Sequence, residues 1–126
     1  MNPIRLMLAD DHQMLREGLR RSMIDEGFDV VGEAQDGAEA VRLAEELVPD
    51  VILMDVSMPN CDGVEACRQV KSHGSVSRVV MLTMHADKEV LTNAIRAGAS
   101  GYLVKDCSTS EIAEAVNLAL EAHDIP

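Results

Sequence analysis

Short apolar runs alternate with longer amphipathic stretches along the whole chain. A strand buried on both faces of a parallel sheet is continuously apolar, whereas a covering helix is apolar on one side only. Alternation of this kind is typical of βα units around a parallel sheet. The pattern therefore predicts five βα units around a parallel sheet. In a doubly wound α/β fold, strand order 2-1-3-4-5 would place the first and third strands on either side of the point where the order reverses.

The predicted elements fill almost the entire sequence. The strands cover residues 4–9, 29–32, 51–54, 78–82 and 101–104. The first helix covers about 13–25, the second begins after Gly37, and the third runs from after Gly63 to about 71. The fourth covers about 88–97, and the fifth runs from after Ser108 to near 122. In the second helix, the residues predicted to face inward are Ala38, Val41, Ala44, Leu47 and Val48. Residues 124–126 resemble the start of a linker.

Three helix starts carry the spacing of a capping box, in which a cap residue is followed three positions later by Glu. The cap residues are Asp36, Asp62 and Ser108. Their side-chain oxygens are predicted to accept hydrogen bonds from the first free amides of the helices.

Polar side chains follow four of the five predicted strands. Asp10 and Asp11 follow the first strand, Asp55 the third, Thr83 the fourth and Lys105 the fifth. The carboxyl ends of parallel strands meet at one edge of the sheet, and ligands bind there where strand order reverses. A carboxylate at the end of a buried strand is costly unless it has a partner. We therefore expect these side chains to form one pocket.

The chemistry of this pocket suits a divalent cation and a phosphoryl group. Clustered carboxylates repel one another unless a cation lies between them, and Mg²⁺ prefers hard oxygen ligands in octahedral geometry. A backbone carbonyl near Ser57 would complete the shell. Asp55 could act as a nucleophile toward phosphorus. Lys105 would supply positive charge and Thr83 a hydroxyl donor for the phosphoryl oxygens.

Each of these residues has a simpler interpretation when it is taken alone. Asp10 or Asp11 could cap the first helix, Thr83 could end a strand, and Lys105 could be a solvated loop lysine. His12 is interpreted as an ordinary hydrogen-bonded loop residue, and His85 as a residue that could reach the phosphoryl region. The occurrence of all the polar groups at the same end of successive strands favours the combined site.

Composition narrows the function further. The chain has 126 residues, the size of one domain, and a net charge of −11, which argues against direct nucleic-acid binding. Aromatic residues make up 2%, too few for a stacking platform. Three cysteines without CxxC spacing predict neither disulfides nor zinc and suit a reducing cytoplasm. No apolar run is long enough to cross a membrane, and no signal peptide is expected before the first strand.

Four segments resemble the receiver domain of two-component response regulators: LMLADDH, ILMDVSMPNCDG, VVMLTMHAD and GYLVKD. They occur in the family's order and spacing and cover essentially the whole chain. The phrases ADDH, GASGYLVKD and MLREGLRRSM are similar to the NarL/FixJ subfamily. Members of that subfamily usually carry a LuxR-type helix-turn-helix domain after the receiver. Residues 1–126 are therefore expected to be a receiver domain without that output domain.

The resemblance implies a flavodoxin-like (αβ)5 fold and a switch in transcription regulation rather than an enzyme. A sensor histidine kinase would transfer a phosphoryl group to the chain, which could form a homodimer on phosphorylation. DNA would be bound only through the missing C-terminal domain. The implied site comprises the phosphoacceptor Asp55, the Mg²⁺ ligands Asp10, Asp11, Asp55 and the Ser57 carbonyl, the catalytic groups Thr83 and Lys105, and the switch residues Thr83 and Tyr102.

Three alternatives stay open at the sequence level. A magnesium-dependent phosphatase with an aspartyl nucleophile needs a second Asp two positions later, where this chain has Ser57. A flavin-binding module needs a Ser, Thr or Gly loop after the first strand, where the chain has Asp10-Asp11-His12. A phosphorylation-independent interaction module would have no need for the acidic set and Lys105.

Overall fold

The computed structural model describes residues 2–84 and 87–121. Within them, strands and helices alternate strictly: β1 (Arg5–Ala9), α1 (Gln13–Asp25), β2 (Asp29–Ala34), α2 (Gly37–Leu47), β3 (Val51–Asp55), α3 (Gly63–Ser72), β4 (Arg78–Thr83), α4 (Lys88–Arg96), β5 (Gly101–Val104) and α5 (Thr109–Glu121). The strands form one parallel sheet in the order β2-β1-β3-β4-β5. The predicted flavodoxin-like fold is therefore confirmed.

The strand ends extend further than the apolar pattern indicated. β2 continues to Ala34, because Glu33 and Ala34 still pair with Leu8 and Ala9 of β1. Asp55 is the last residue of β3, and Thr83 is the last of β4. Polar residues thus complete the strands at the edge where the pocket is predicted. The predicted end of the last helix near residue 122 and the linker at 124–126 lie outside the described residues.

Strand alternation divides the core into two layers. One layer contains Met7, Ile52, Met54, Val79 and Met81, covered by α2, α3 and α4. The other contains Leu6, Leu8, Leu53, Val80 and Leu82, covered by α1 and α5. Because both faces of the sheet are covered, its central strands are almost fully buried. A rigid sheet of this kind fixes the strand ends relative to one another.

The predicted buried face of α2 is partly wrong. Ala38 is exposed, whereas Gly37 and Ala40 are buried. The helix begins directly against the loop before α3, where a Cβ atom on Gly37 would lie 1.8 Å from the carbonyl oxygen of Cys61. This contact makes Gly37 the first buried position and turns Ala38 outward. Val48 is half exposed and ends the helix in a left-handed conformation, with φ of 45°.

The three predicted caps all form. Ser108 and Glu111 make a reciprocal capping box, in which each side chain accepts a hydrogen bond from the other residue's backbone amide. Asp36 and Asp62 accept hydrogen bonds from the amides of Glu39 and Glu65, at 2.8 and 2.9 Å.

Among the described helices, none combines the length and apolarity that a bilayer span requires.

Candidate functional site

The acidic residues converge where β1 and β3 lie side by side at the centre of the sheet. Asp10, Asp11 and His12 come from the loop between β1 and α1, and Asp55 ends β3. One ligand atom of each of these four residues lies within 4.8 Å of the other three. β1 has β2 on one side and β3 on the other, so the chain connections diverge here and leave a crevice.

Lys105 connects two of the carboxylates. Its Nζ donates a hydrogen bond to Asp55 Oδ2 at 2.9 Å and lies 3.3 Å from Asp10 Oδ2. The lysine side chain is 9% exposed, and both partners are buried. Its backbone amide donates to the carbonyl of Thr83 at 2.7 Å, which continues the pairing of β5 with β4. Strand pairing thus delivers the ammonium group to the acidic crevice.

The site carries more negative than positive charge, with three carboxylates around one ammonium group. Burial raises the pKa of Asp55 above its ordinary 3.8, and the charge of Asp10 acts in the same direction against the opposing effect of Lys105. Burial alone would lower the pKa of Lys105, but its hydrogen bond and charge interaction with Asp55 raise it. A further cation would therefore stabilise the arrangement.

Asp10 has one carboxylate oxygen that accepts a hydrogen bond and one that does not. Oδ1 accepts a hydrogen bond from the His12 amide at 2.8 Å. Oδ2 is buried and, among the described residues, accepts no hydrogen bond, although the Lys105 ammonium is near. A buried carboxylate oxygen that has only an ion pair and no hydrogen bond can still accept a further cation, and such an oxygen is a hard ligand that suits Mg²⁺. The residues present therefore fit a magnesium ion.

Neither Asp10 nor Asp11 caps α1, so that alternative interpretation is wrong. The N-cap is His12, and its side chain accepts no capping hydrogen bond. Ser57, the other predicted contributor, donates its backbone amide to Asp55 Oδ1 at 3.1 Å. Ser57 and Asp11 line the same open depression. The role of the Ser57 carbonyl as a ligand stays a prediction.

Arg16 of α1 supports the acidic loop, and sequence reasoning missed it. Its guanidinium donates to the Asp10 carbonyl at 2.7 Å and to Glu33 Oε1 at 3.0 Å. Glu33 is in this position because the last residues of β2 pair with β1, Leu8 being its partner. A basic residue on a helix after an acidic loop is a weak signal on its own. The contact could be found only once the strand register was known.

Gly63 supports the other side of the crevice. Its amide donates to the Val56 carbonyl at 2.8 Å. A Cβ atom at Gly63 would lie 2.1 Å from the carbonyl oxygen of Asp55. The start of α3 is therefore packed directly against the backbone that carries Asp55. The sequence indicated a helix start at this glycine but not the close contact.

Thr83 and Tyr102 lie on strands next to the acidic residues. Thr83 ends β4 opposite Val104, and its side chain is buried. Tyr102 pairs with Met81, is half-buried and packs against the core layer covered by α2 to α4. Its hydroxyl accepts a hydrogen bond from the Asp87 amide at 3.4 Å, at the start of α4. His85 lies outside the described residues.

Comparisons with known proteins agree with this geometry. Residues 6–117 match the family described as "Response regulator receiver domain". The chain is 44% identical over 117 residues to the transcriptional regulatory protein LiaR of Bacillus subtilis, covering 92% of this chain and 56% of that protein. It is 40% identical over 121 residues to DegU of Brevibacillus brevis, covering 95% and 51%. The chain thus spans about half the length of these curated relatives.

The fold is similar to that of solved receiver structures. The signal receiver domain of the response regulator NarL from Mycobacterium tuberculosis superposes with a TM-score of 0.91 at 35% identity, over 96% of this chain and 98% of that one. A LuxR-family response regulator from Aurantimonas sp. SI85-9A1 gives 0.89 at 38% identity, over 96% and 87%.

Proposed function

The chain belongs to the response regulator receiver family, and from this premise we propose that it is the phosphorylation-dependent switch of a transcription regulator. A receiver is a signalling domain rather than a classical enzyme. The proposal extends to domain organisation: residues 1–126 form the receiver, and a helix-turn-helix output domain completes the regulator. The greater length of the relatives, which are named transcriptional regulators, supports this organisation.

In the proposed reaction, Asp55 accepts a phosphoryl group from a histidine of a sensor kinase. A carboxylate oxygen of Asp55 forms a bond to phosphorus as the bond between phosphorus and the histidine nitrogen breaks. The transferred group carries spread negative charge, so catalysis consists mainly of positioning and charge compensation. Lys105, which already lies 2.9 Å from Asp55, would shift its hydrogen bond to a phosphoryl oxygen. Thr83 would donate its hydroxyl to another.

The proposed ligands of Mg²⁺ are the carboxylates of Asp10, Asp11 and Asp55 and the carbonyl of Ser57. When bound, the ion would neutralise the excess negative charge of the carboxylates and of the incoming phosphoryl group. The convergence of the three carboxylates within 4.8 Å and the buried Asp10 oxygen that accepts no hydrogen bond from the described residues support this role.

The proposed switch couples Thr83 to Tyr102. Movement of Thr83 toward the phosphoryl group would open space beside β4, and the ring of Tyr102 would turn inward to fill it. The Tyr102 hydroxyl would then leave the Asp87 amide at the start of α4. The surface formed by α4, β5 and α5 would change in consequence and alter partner preference, including formation of a homodimer.

The observation that carries the proposal is the contact of Lys105 with both buried carboxylates. The test is binding of beryllofluoride with Mg²⁺, followed by amide chemical shifts in NMR spectra. The parent should bind, and Asp55→Asn should not. Asp29→Asn, an exposed residue of β2, is the matched control and should bind like the parent. Equal binding by Asp55→Asn would contradict the proposal.

The phosphatase alternative gains no support from the site. The position two residues after Asp55 is Ser57, whose amide donates to that carboxylate and whose side chain offers no acid or base of suitable pKa. Location in the cytoplasm is part of our proposal and follows from the family.

A further inference from the structure

His12 directs a ring nitrogen at the proposed cation site. Its Nδ1 lies 3.4 Å from Asp11 Oδ1 and 3.5 Å from Asp10 Oδ1. In an octahedral shell with metal–ligand distances of about 2.1 Å, neighbouring ligand atoms lie about 3 Å apart. The ring nitrogen therefore lies at nearly the spacing of an adjacent ligand from each of these two carboxylate oxygens. Among the described residues, His12 and the three carboxylates form the group whose ligand atoms converge in this way.

The histidine is held at its backbone but not at its ring. Its amide donates to Asp10 Oδ1 at 2.8 Å, and the residue is the N-cap of α1 with an extended backbone. The side chain is 71% exposed, and within the described part of the chain its ring has ionic partners only in Asp10 and Asp11. A small rotation of the ring toward an ion would therefore break no ion pair with any other described residue.

A second feature of the crevice also indicates a ligand. Asp10 Oδ2 is buried and accepts no hydrogen bond from the described residues. The negative charge around it exceeds the charge of Lys105, so the pocket attracts a cation independently of His12. The imidazole nitrogen of His12 thus lies beside a site where the charge of the carboxylates already favours a cation.

We infer that His12 contributes an imidazole nitrogen to this cation site and extends its selectivity from Mg²⁺ to borderline transition-metal ions. The inference rests on the proposed magnesium site. Mg²⁺ is satisfied by carboxylates, carbonyls and water, whereas Co²⁺, Ni²⁺ and Zn²⁺ gain substantially from an imidazole ligand. With His12 as a ligand, the shell contains both oxygen and nitrogen donors.

The test compares the 126-residue parent with His12→Asn. Asparagine suits the N-cap position and offers a hard amide oxygen, but it has no imidazole nitrogen. His73→Asn is the matched control, because His73 is an exposed histidine at the end of α3. Affinities for Mg²⁺ and Ni²⁺ would be measured by calorimetry. Pulsed electron paramagnetic resonance of bound Mn²⁺ would report directly on a coordinated ¹⁴N nucleus.

We expect His12→Asn to lose about tenfold or more in Ni²⁺ affinity while its Mg²⁺ affinity changes by less than about twofold. The ¹⁴N modulation of Mn²⁺ should be present in the parent and in His73→Asn and absent in His12→Asn. Equal Ni²⁺ affinities, or ¹⁴N modulation that persists in His12→Asn, would overturn the inference.

The same measurements separate this inference from the proposed function. If the parent binds Mg²⁺ and beryllofluoride but shows no ¹⁴N modulation, the role of His12 is wrong and the receiver site stands. If the parent binds neither Mg²⁺ nor beryllofluoride, the proposed function fails, and this inference fails with it.

Discussion

Asp10→Asn should stabilise the protein in the absence of divalent cations, although Asp10 is a proposed metal ligand. The substitution keeps the shape of the side chain and an oxygen that can accept the His12 amide hydrogen bond of 2.8 Å. It removes a buried negative charge and leaves the hydrogen bond between Lys105 and Asp55 in place. The variant therefore measures the electrostatic cost of the Asp10 charge while the packing of the side chain stays the same.

The distances in the site give the size of the effect. At an effective dielectric constant near 20, two carboxylates whose oxygens lie within 4.8 Å of each other repel by at least about 3.5 kcal/mol, and an ion pair at 3.3 Å attracts by about 5 kcal/mol. Repulsion of Asp10 by Asp11 and Asp55 together thus exceeds its attraction to Lys105 by about 2 kcal/mol. Asp11 is 33% exposed, so its share is screened, but the desolvation of Asp10 adds a cost of similar size.

We therefore expect the free energy of unfolding of Asp10→Asn to exceed that of the parent by about 2 kcal/mol in EDTA. Urea unfolding followed by circular dichroism measures it. Saturating Mg²⁺ should shrink or reverse the difference, because the parent gains more from binding the ion. Asp29→Asn, which removes an exposed charge, should differ from the parent by less than about 0.5 kcal/mol. A less stable Asp10→Asn in EDTA would refute this reasoning.

Further predictions concern the other side chains of the crevice. The raised pKa of Asp55 means that its ionised form destabilises the fold, so Asp55→Asn should be more stable than the parent at pH 7 in EDTA. The difference in the free energy of unfolding should narrow as the pH falls through the raised pKa and vanish below pH 3.8. Urea titrations at a series of pH values measure this difference. Lys105→Met should cost about 3 kcal/mol in EDTA at pH 7, because two buried carboxylates lose their shared cation. Since the pKa of Lys105 is raised, this difference should hold from pH 7 to 10.5 and disappear as the pH rises through the higher folded value. A constant difference at high pH would contradict the assignment. Gly63→Ala should lower the free energy of unfolding by about 3 kcal/mol and weaken beryllofluoride binding, because its Cβ atom would lie 2.1 Å from the Asp55 carbonyl oxygen. Gly18→Ala, which has open space around it, is the control and should be neutral or stabilising in thermal unfolding.

The pocket could be predicted from sequence because parallel topology fixes which residues meet. Asp55 and Lys105 are 50 positions apart, yet each stands at the carboxyl end of its strand. Any parallel sheet with this strand order brings such ends to one edge. The prediction required the apolar runs, their terminal residues and the strand order, and it needed no knowledge of side-chain packing.

Other parts of the site depend on contacts that no local pattern encodes. The bond from Arg16 to the Asp10 carbonyl requires the position of α1 over β1, and its bond to Glu33 requires the exact pairing of β2. The buried face of α2 depends on the contact of Gly37 with the Cys61 backbone, which turned Ala38 outward. A rotation of one residue around a helix axis reverses such an assignment, and periodicity does not resolve it.

Strand alternation also bears on how the site could control a distant surface. Asp55 continues the face of β3 that contains Leu53, in the layer covered by α1 and α5. Thr83 continues the face of β4 that contains Met81, in the layer of Tyr102 covered by α2 to α4. A phosphoryl group on Asp55 would therefore lie where the two layers meet, and a hydrogen bond from Thr83 would extend across the sheet edge. Stabilisation of charge on one side of the sheet would in this way be coupled to the packing of α4 on the other.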